Sequence, residues 1–241
     1  MGETRLINKS HNIQLDLNQL DEWSTSNGFS LNPAKCQAFQ VYFGKKSLPE
    51  TSYSVSKVQL PNVSRVKLLG ITLQSNLKWD SHITEIINKV NRKLFMLRKL
   101  KAARLNIDEF IIICKGYIRP IMEYATPVWH SSLSFAQSDN LELTQKCVCR
   151  ILLGSKYCNY KQALYDLELE SLYDRRLNLC FKFILKTYKS NKFNDWFPKS
   201  NRCHAMTLST PIFDKHHGTT NRFQNSPIPF LTEMLNTPLN E

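Results

Sequence analysis

Apolar and polar residues follow a helical pattern near the beginning of the chain and a strand pattern after it. Apolar side chains at helical spacing predict an amphipathic helix over residues 12–28. Alternating apolar residues over 39–43 predict a strand, and two more short strands are expected over 53–60 and 66–73. This part of the chain therefore predicts a helix that packs on a small antiparallel sheet.

The pattern becomes helical throughout from about residue 80. Apolar residues between Ile83 and Leu97 recur at helical spacing, which predicts a long amphipathic helix. Four basic residues fall on the face of this helix opposite the apolar stripe: Lys89, Arg92, Lys93 and Lys99. Three more helices are expected: over 108–117, which Pro120 bends or ends, over 138–153, and from the capping box Ser171-x-x-Asp174 to about 188.

These elements predict an α+β fold with three regions. Residues 1–75 form the helix and the sheet, and residues 76–189 form a helical bundle. From residue 190 the apolar periodicity fades and Asn, Pro, Ser and Thr become frequent. Residues 190–241 are therefore expected to be a loosely structured, irregular tail.

The composition is that of a globular protein. Hydrophobic residues make up 42% and aromatic residues 11%, which excludes compositional disorder. No apolar run approaches the roughly 20 residues of a membrane-spanning helix, and the N-terminus lacks the apolar segment of a signal peptide. The seven cysteines are irregularly spaced, which disfavours a disulfide framework. An intracellular location is expected, nuclear or cytoplasmic and not secreted, without membrane association.

The net charge of +12 is concentrated in one third of the chain. Residues 35–119 contain 16 Lys or Arg and 5 Asp or Glu, a net of +11, and the rest contains 16 and 15, a net of +1. A concentrated positive field suits a polyanion and predicts salt-dependent affinity for nucleic acid. The alternative is an ordinary basic surface that only keeps the protein soluble.

Four short sequence blocks follow one another along the chain. They are Leu20-Asp21-Glu22-Trp23 with the segment from Asn27 to Lys35, Val66-Lys67-Leu68-Leu69-Gly70-Ile71, Leu77-Lys78-Trp79-Asp80-x-His82-Ile83, and the segment from Tyr117 to Trp129. Their order and spacing resemble the end of the palm and the start of the thumb in reverse transcriptases of non-LTR retrotransposons, the jockey and CR1 type of LINE element. The resemblance implies the C-terminal part of an RNA-directed DNA polymerase.

The resemblance implies roles for seven residues. Lys35 matches the motif D lysine, which lies near the incoming triphosphate and acts as a general acid, because partial burial can lower the pKa of a lysine. Lys67 and Gly70 match the primer grip, and the four basic residues of the long helix match phosphate contacts of the thumb. The implied partner is an RNA–DNA hybrid or duplex nucleic acid. The simpler alternatives are a surface lysine, a tight hairpin and a solvated helix face.

One departure from the family concerns the catalytic carboxylates. The family has an aromatic-x-Asp-Asp turn before motif D, which helps to hold two Mg²⁺ ions about 4 Å apart. This sequence contains no Asp-Asp pair, and Asp21 and Glu22 are expected to be solvated helix residues. The chain is therefore expected to be a truncated fragment with no metal site and no cofactor of its own. It is expected to be inactive alone, with Lys35 at most a vestigial general acid.

Further hypotheses concern other uses of the same residues. The chain could be an interaction protein that binds a full-length polymerase, or another protein, through apolar surface left bare at the sheet. Zinc binding is disfavoured, because the chain has no C-x-x-C and its cysteine and histidine pairs are adjacent or two apart. Trp23, Trp79 and Trp129 are interpreted as packing anchors rather than as platforms for bases.

Overall fold

A computed structural model of the chain describes residues 10–43, 52–190, 193–200 and 213–237. The chain divides into two compact units, unit 1 (Met1–Lys78) and unit 2 (Trp79–Glu241). Unit 1 combines a helix with short strands and unit 2 is helical, which confirms the predicted α+β class. Within the described ranges, no helix is both long and apolar enough to cross a membrane.

Unit 1 begins with helix α1 (Ser10–Ser26) and continues with short strands. In the described part of the unit these strands are β1 (Ala38–Phe39), β2 (Ser54–Val55), β3 (Val58–Gln59), β4 (Asn62–Val63), β5 (Arg65–Leu68) and β6 (Ile71–Gln74). A core cluster contains Ala38, Val55 and Leu60, and Leu17 of α1 packs against it. The expected helix beside small sheets is therefore present.

The strands of unit 1 form three separate pairs rather than one antiparallel sheet. β2 pairs with β3 and β5 pairs with β6 as antiparallel hairpins, whereas β1 pairs with β4 in parallel. The strand predicted over 53–60 is itself a hairpin, because Ser56 and Lys57 have positive φ angles of 48° and 63°. These two residues reverse the chain, so one long strand cannot form.

Unit 2 is built from helices of different lengths. In the described part of the unit these elements are α2 (Asp80–Ala102), α3 (Ile107–Ile113), a π-helical turn (Cys114–Ile118), α4 (Arg119–Glu123), α5 (Thr126–Trp129), α6 (Phe135–Leu153), α7 (Tyr160–Asp166), α8 (Leu172–Ser190), α9 (Asn221–Gln224) and α10 (Pro227–Asn236). α2 packs against α4 and α6, and α8 packs against α5, α6 and α10. The expected helical bundle forms the body of this unit.

Helix α2 buries the apolar stripe that the sequence predicts. Its buried residues are His82, Ile83, Ile86, Val90, Leu94 and Leu97. From Ile83 onward these positions recur every three or four residues, so they lie on one side of the helix. Near the C-terminal end of α2, Lys101 Nζ donates to the carbonyl oxygens of Ile151 and Leu152. This contact satisfies carbonyls that have no partner within α6 and fixes the end of α2 beside the end of α6.

The helix predicted over 108–117 continues farther than expected. α3, the π-helical turn and α4 follow one another from Ile107 to Glu123, so Pro120 does not end the helical segment. In the π-helical turn the N–H of Arg119 donates to the carbonyl of Cys114, one residue farther back than in an α-helix. The wider turn accommodates Pro120, which lies in the first turn of α4 and has no N–H to donate.

Two helices, α9 and α10, lie in the region that was expected to be a loose tail. α10 buries Leu231 in a cluster with Cys180 of α8. Pro227 gives the segment the composition of a loop, but proline is favoured in the first turn of a helix, where its missing N–H needs no partner. Residues 191–192, 201–212 and 238–241 of the predicted tail lie outside the described residues.

Side-chain caps set where α6 and α8 begin. Half of the capping box predicted for α8 is confirmed, because Ser171 Oγ accepts from the N–H of Asp174 at 3.1 Å, while the Asp174 carboxylate accepts from the Ser171 hydroxyl. α6 begins three residues earlier than predicted, at Phe135, because Ser134 and Gln137 form a capping box. Ser134 and Gln137 have the same spacing as Ser171 and Asp174, so the sequence contains a signal for this earlier start.

The three tryptophans interpreted as packing anchors are not equivalent. Trp79 and Trp129 are buried, and the indole N–H of Trp129 donates to the carbonyl of Tyr124 at 2.9 Å. Trp23 is 59% exposed, and its ring stacks on Phe29 with the ring centroids 6.5 Å apart. The interpretation is confirmed for Trp79 and Trp129 and is wrong for Trp23, which lies on the solvent side of α1.

Candidate nucleic-acid interface

The solvent side of α2 presents the basic residues predicted to contact phosphates. Lys89, Arg92 and Lys99 are exposed, and Lys93 is half-buried. Arg92 and Lys99 are seven positions apart, which is about two helical turns, so they share one side of the helix. Residues 86–107 contain seven basic residues and no Asp or Glu. Because this segment has no carboxylate to offset its positive charge, its surface attracts a phosphate backbone.

Two of these lysines lie against aromatic rings. The ammonium of Lys93 lies 4.5 Å from the ring centroid of Tyr117 and donates to its hydroxyl. The ammonium of Lys99 lies 5.5 Å from the ring centroid of Phe95. Such cation–π contacts are worth about 0.5–1 kcal/mol at exposed sites. They hold two flexible side chains in defined positions on the surface.

Phe95 and Tyr117 were not among the predicted site residues. Phe95 could have been recognised from the sequence, because it lies off the apolar stripe, three positions after Arg92 and four before Lys99. Tyr117 belongs to a family-like block, but its contact with Lys93 joins α2 to the π-helical turn, which no local pattern predicts. The candidate interface therefore contains aromatic as well as basic groups.

The β5–β6 hairpin of unit 1 contains the predicted primer-grip residues. Lys67 is exposed on β5, where it pairs with Thr72 of β6. Leu69 and Gly70 form the turn with φ angles of 47° and 83°, both in the left-handed region, as a two-residue hairpin turn requires. Glycine adopts this conformation without strain, whereas leucine rarely does. The tight hairpin is confirmed, and contact with a primer stays a prediction.

Lys35 ends a short 3₁₀ turn (Pro33–Lys35) at the surface of unit 1. Asn32 caps this turn, because its Oδ1 accepts from the N–H of Ala34 at 3.0 Å. The side chain of Lys35 is exposed, so the described residues do not provide the partial burial on which the general-acid interpretation depends. Its role at a triphosphate stays a prediction. Lys35, Lys67 and Gly70 belong to unit 1, whereas the four basic residues of α2 belong to unit 2.

Asp21 of α1 is not the solvated residue that the sequence analysis expected. Its carboxylate accepts from the backbone N–H of Ser56 at 3.0 Å and from the Ser56 hydroxyl at 2.8 Å. Ser56 lies in the β2–β3 turn, so this carboxylate joins α1 to the hairpin. The neighbouring Glu22 is exposed, as expected.

The family-like block over 117–129 supports the fold of unit 2. Glu123 accepts two hydrogen bonds from Arg175 of α8, from Nε at 2.5 Å and from Nη2 at 2.9 Å. This hydrogen bonding raises the pKa of Arg175. Arg119 Nε lies 3.6 Å from the same carboxylate. Because a bidentate arginine–carboxylate pair fixes orientation as well as distance, Glu123 positions α4 on α8.

Comparison with known proteins supports the resemblance at a coarse level. No family model matches the chain, and no solved structure matches it. Among curated proteins, the chain is similar to the probable RNA-directed DNA polymerase from transposon X-element of Drosophila melanogaster, with 22% identity over 159 residues. The match covers 65% of the chain and only 17% of the length of that relative. The similarity is thus to part of a transposon-encoded, reverse transcriptase-like protein.

Proposed function

We propose that this chain is a nucleic-acid-binding part of a jockey- or CR1-type reverse transcriptase, made of the end of the palm, the primer grip and the thumb. The order of the four sequence blocks and the similarity to a transposon RNA-directed DNA polymerase support the proposal. Its ligand is an RNA–DNA hybrid or duplex nucleic acid, which such an enzyme holds while it copies a template.

The observation that supports the proposal most directly is the basic surface of α2. Lys89, Arg92 and Lys99 are exposed on a helix whose opposite side is buried, so packing holds their backbone at fixed spacing. Contacts from such side chains to phosphates position a duplex without distinguishing its sequence. We therefore expect binding that depends strongly on salt and little on sequence.

We propose in addition that the chain binds without copying. The sequence has no Asp-Asp pair, and the described residues contain no group of three or more His, Cys, Asp or Glu side chains that could hold a metal ion. Polymerisation in this family uses Mg²⁺ ions held by carboxylates, so another polypeptide segment would have to supply them. Lys35, Lys67 and Gly70 would approach the triphosphate and the primer only in that completed site.

The proposal is tested by titrating the full chain with a labelled RNA–DNA hybrid over a salt series. Binding should be measurable at low salt and should weaken linearly on a log–log plot. Replacing Lys89, Arg92 and Lys99 by alanine removes three phosphate contacts. The slope of that plot is therefore expected to decrease in magnitude by about three units.

A matched control replaces three exposed lysines of α7 and α8 by alanine: Lys161, Lys182 and Lys186. This variant lowers the net charge equally and should keep the slope of the unmodified chain. Equal decreases in both variants would indicate general charge attraction rather than an interface on α2. Absence of binding at low salt would contradict the proposal altogether.

The alternative hypothesis, a module that binds a full-length polymerase or another protein, is supported by the apolar surface of unit 1. Trp23, Phe29, Phe43 and Leu69 are between 57% and 83% exposed. Two of these rings, Trp23 and Phe29, stack on each other, and a contiguous exposed apolar patch is typical of a surface that a partner covers. Sedimentation of the chain mixed with a full-length reverse transcriptase would reveal a complex, and Trp23→Asp should weaken it.

A further inference from the structure

One ring on the basic surface of α2 has no part in phosphate contact. Phe95 is 62% exposed, whereas the apolar stripe on the other side of the same helix is buried. It lies in a row of exposed residues with Asn88, Arg92 and Lys99. Successive members of the row are four, three and four positions apart, which places them along one side of the helix. The ring thus interrupts a line of polar and basic side chains.

We propose that Phe95 is a stacking platform for an unpaired base, with Arg92 and Lys99 on the phosphates at either side. The inference rests on the proposed function, because it assumes that α2 binds nucleic acid. Surfaces that bind single strands combine basic residues along the backbone with aromatic rings on which bases stack. Bases within a duplex present only their edges at the surface, so the flat ring would find no base face there.

The surroundings of Phe95 favour a nucleic-acid strand over an acidic peptide. Lys99 lies over one face of the ring at 5.5 Å from its centroid, so a base would stack on the opposite face, with this ammonium within reach of the phosphate of the stacked nucleotide. The segment 86–107 contributes no carboxylate that would repel this phosphate. An acidic peptide would satisfy the charges, but it would not require an exposed flat ring between them. A single-stranded overhang beside a hybrid supplies both phosphates and a free base face.

The inference is tested with the full chain and three probes: a short single strand, an abasic strand of the same length, and a duplex of the same sequence. Phe95→Ala is expected to weaken binding of the single strand about fivefold to a hundredfold, because it removes one stacking contact. Binding of the abasic strand and the duplex should remain unchanged, since their phosphate contacts persist. Phe95→Tyr keeps the ring and should keep the affinity.

A matched control is Phe135→Ala, which removes a 90% exposed ring from α6 in a stretch without lysine or arginine between residues 120 and 145. This variant should bind all three probes as the unmodified chain does. The thermal melts of both alanine variants should match that of the unmodified chain, because both rings are exposed.

Several outcomes would overturn the inference. Equal weakening of Phe95→Ala on the abasic strand or on the duplex would assign the ring to backbone or groove contact. Loss of polyglutamate binding in Phe95→Ala, with unchanged binding of the single strand, would assign it to acidic peptides. No effect on any probe, with salt-dependent binding retained, would remove the stacking role and leave the proposed function intact. No binding of any probe at low salt would contradict both.

Discussion

Unit 1 buries a small cluster of apolar residues around Ala38, Val55 and Leu60, whereas unit 2 completely buries apolar side chains such as those of Trp129 and Leu97. Burial contributes about 25 cal/mol for each Å² of apolar surface removed from water. The described part of unit 2 therefore gains much more stability from its core than that of unit 1 does. In unit 1 short hairpins and polar contacts such as Asp21 with Ser56 account for more of the structure.

The family-like blocks of the two units also differ in whether their residues support packing or face solvent. In unit 2 the block over 117–129 supports the fold, as the paired contact of Glu123 with Arg175 shows. In unit 1 the block over 66–71 forms a hairpin whose turn residue Leu69 is 83% exposed. The blocks thus include a residue that stabilises a helical bundle in one unit and a residue that faces solvent in the other.

The largest expected effect comes from replacing the buried tryptophan of unit 2. Trp129→Ala removes a fully buried ring and its hydrogen bond to the carbonyl of Tyr124. The free energy of unfolding is therefore expected to fall by about 3–5 kcal/mol. The same substitution at the exposed Trp23 of unit 1 is expected to change it by no more than about 0.5 kcal/mol. Urea denaturation followed by circular dichroism measures both.

A variant that fails to fold yields no free energy, so Trp129→Phe provides a second measurement. Phenylalanine keeps most of the buried volume but cannot donate to the Tyr124 carbonyl. A loss of about 1–2 kcal/mol is expected from that unsatisfied carbonyl and the smaller ring. Equal losses at Trp23 and at Trp129 would break the comparison, because unit 1 would then depend on an exposed ring as strongly as unit 2 depends on a buried one.

A smaller effect is expected from pH, and it also arises in unit 2. Burial, together with the nearby charge of Arg176, lowers the pKa of His130 to about 4. Arg176 Nε donates to His130 Nδ1 at 3.4 Å, and the ring of Tyr173 lies 5.5 Å from the imidazole. In the unfolded chain the pKa of a histidine is about 6.5. As the pH falls from about 6.5 to 4, the unfolded chain binds a proton that the folded chain does not, so stability is lost.

This loss is expected to reach about 2 kcal/mol at pH 5. It is measured as the difference in the free energy of unfolding between pH 7 and pH 5. His130→Gln has no imidazole at this position, so it should not show this additional loss between pH 7 and pH 5. His217→Gln, at an exposed histidine, should show the same loss as the unmodified chain. An unchanged pH dependence in His130→Gln would contradict a buried neutral imidazole.

Features that depend on local periodicity could be predicted from the sequence. The apolar stripe of α2 from Ile83 to Leu97 was predicted because residues three and four positions apart fall on one helix face, whatever they pack against. The N-cap hydrogen bond at Ser171 was predicted for the same reason, since its partners are three positions apart. The position of the four basic residues away from the buried stripe follows from that helix, whereas their contacts with phosphates stay a prediction.

Features that join distant parts of the chain could not be predicted in this way. Asp21 meets Ser56, which is 35 positions later, and Arg175 meets Glu123, which is 52 positions earlier. Such polar contacts leave no periodic pattern, because a single carboxylate on a helix surface has the same local sequence whether it is solvated or bonded. The same limit explains why Tyr117 was not recognised as the partner of Lys93.

The smallest expected effect tests the polar contact that joins α1 to the β2–β3 hairpin in unit 1. Asp21→Ala removes both hydrogen bonds to Ser56, one to its N–H and one to its hydroxyl. Because the site is near solvent, the free energy of opening of the hairpin is expected to fall by only about 1 kcal/mol. Hydrogen exchange measures this locally, through the amides of Val55 and Val58, without requiring that the whole chain unfold.

Glu22→Ala is the matched control for this prediction, because it removes the next carboxylate of the same helix from an exposed position. It should change the exchange of the hairpin amides by less than about 0.5 kcal/mol. Faster exchange in Asp21→Ala alone would sharpen the comparison, since a polar contact would then stabilise unit 1 where burial is limited. Equal exchange in the two variants would show that the small cluster around Val55 and Leu60 is sufficient, and that unit 1 depends on burial as unit 2 does.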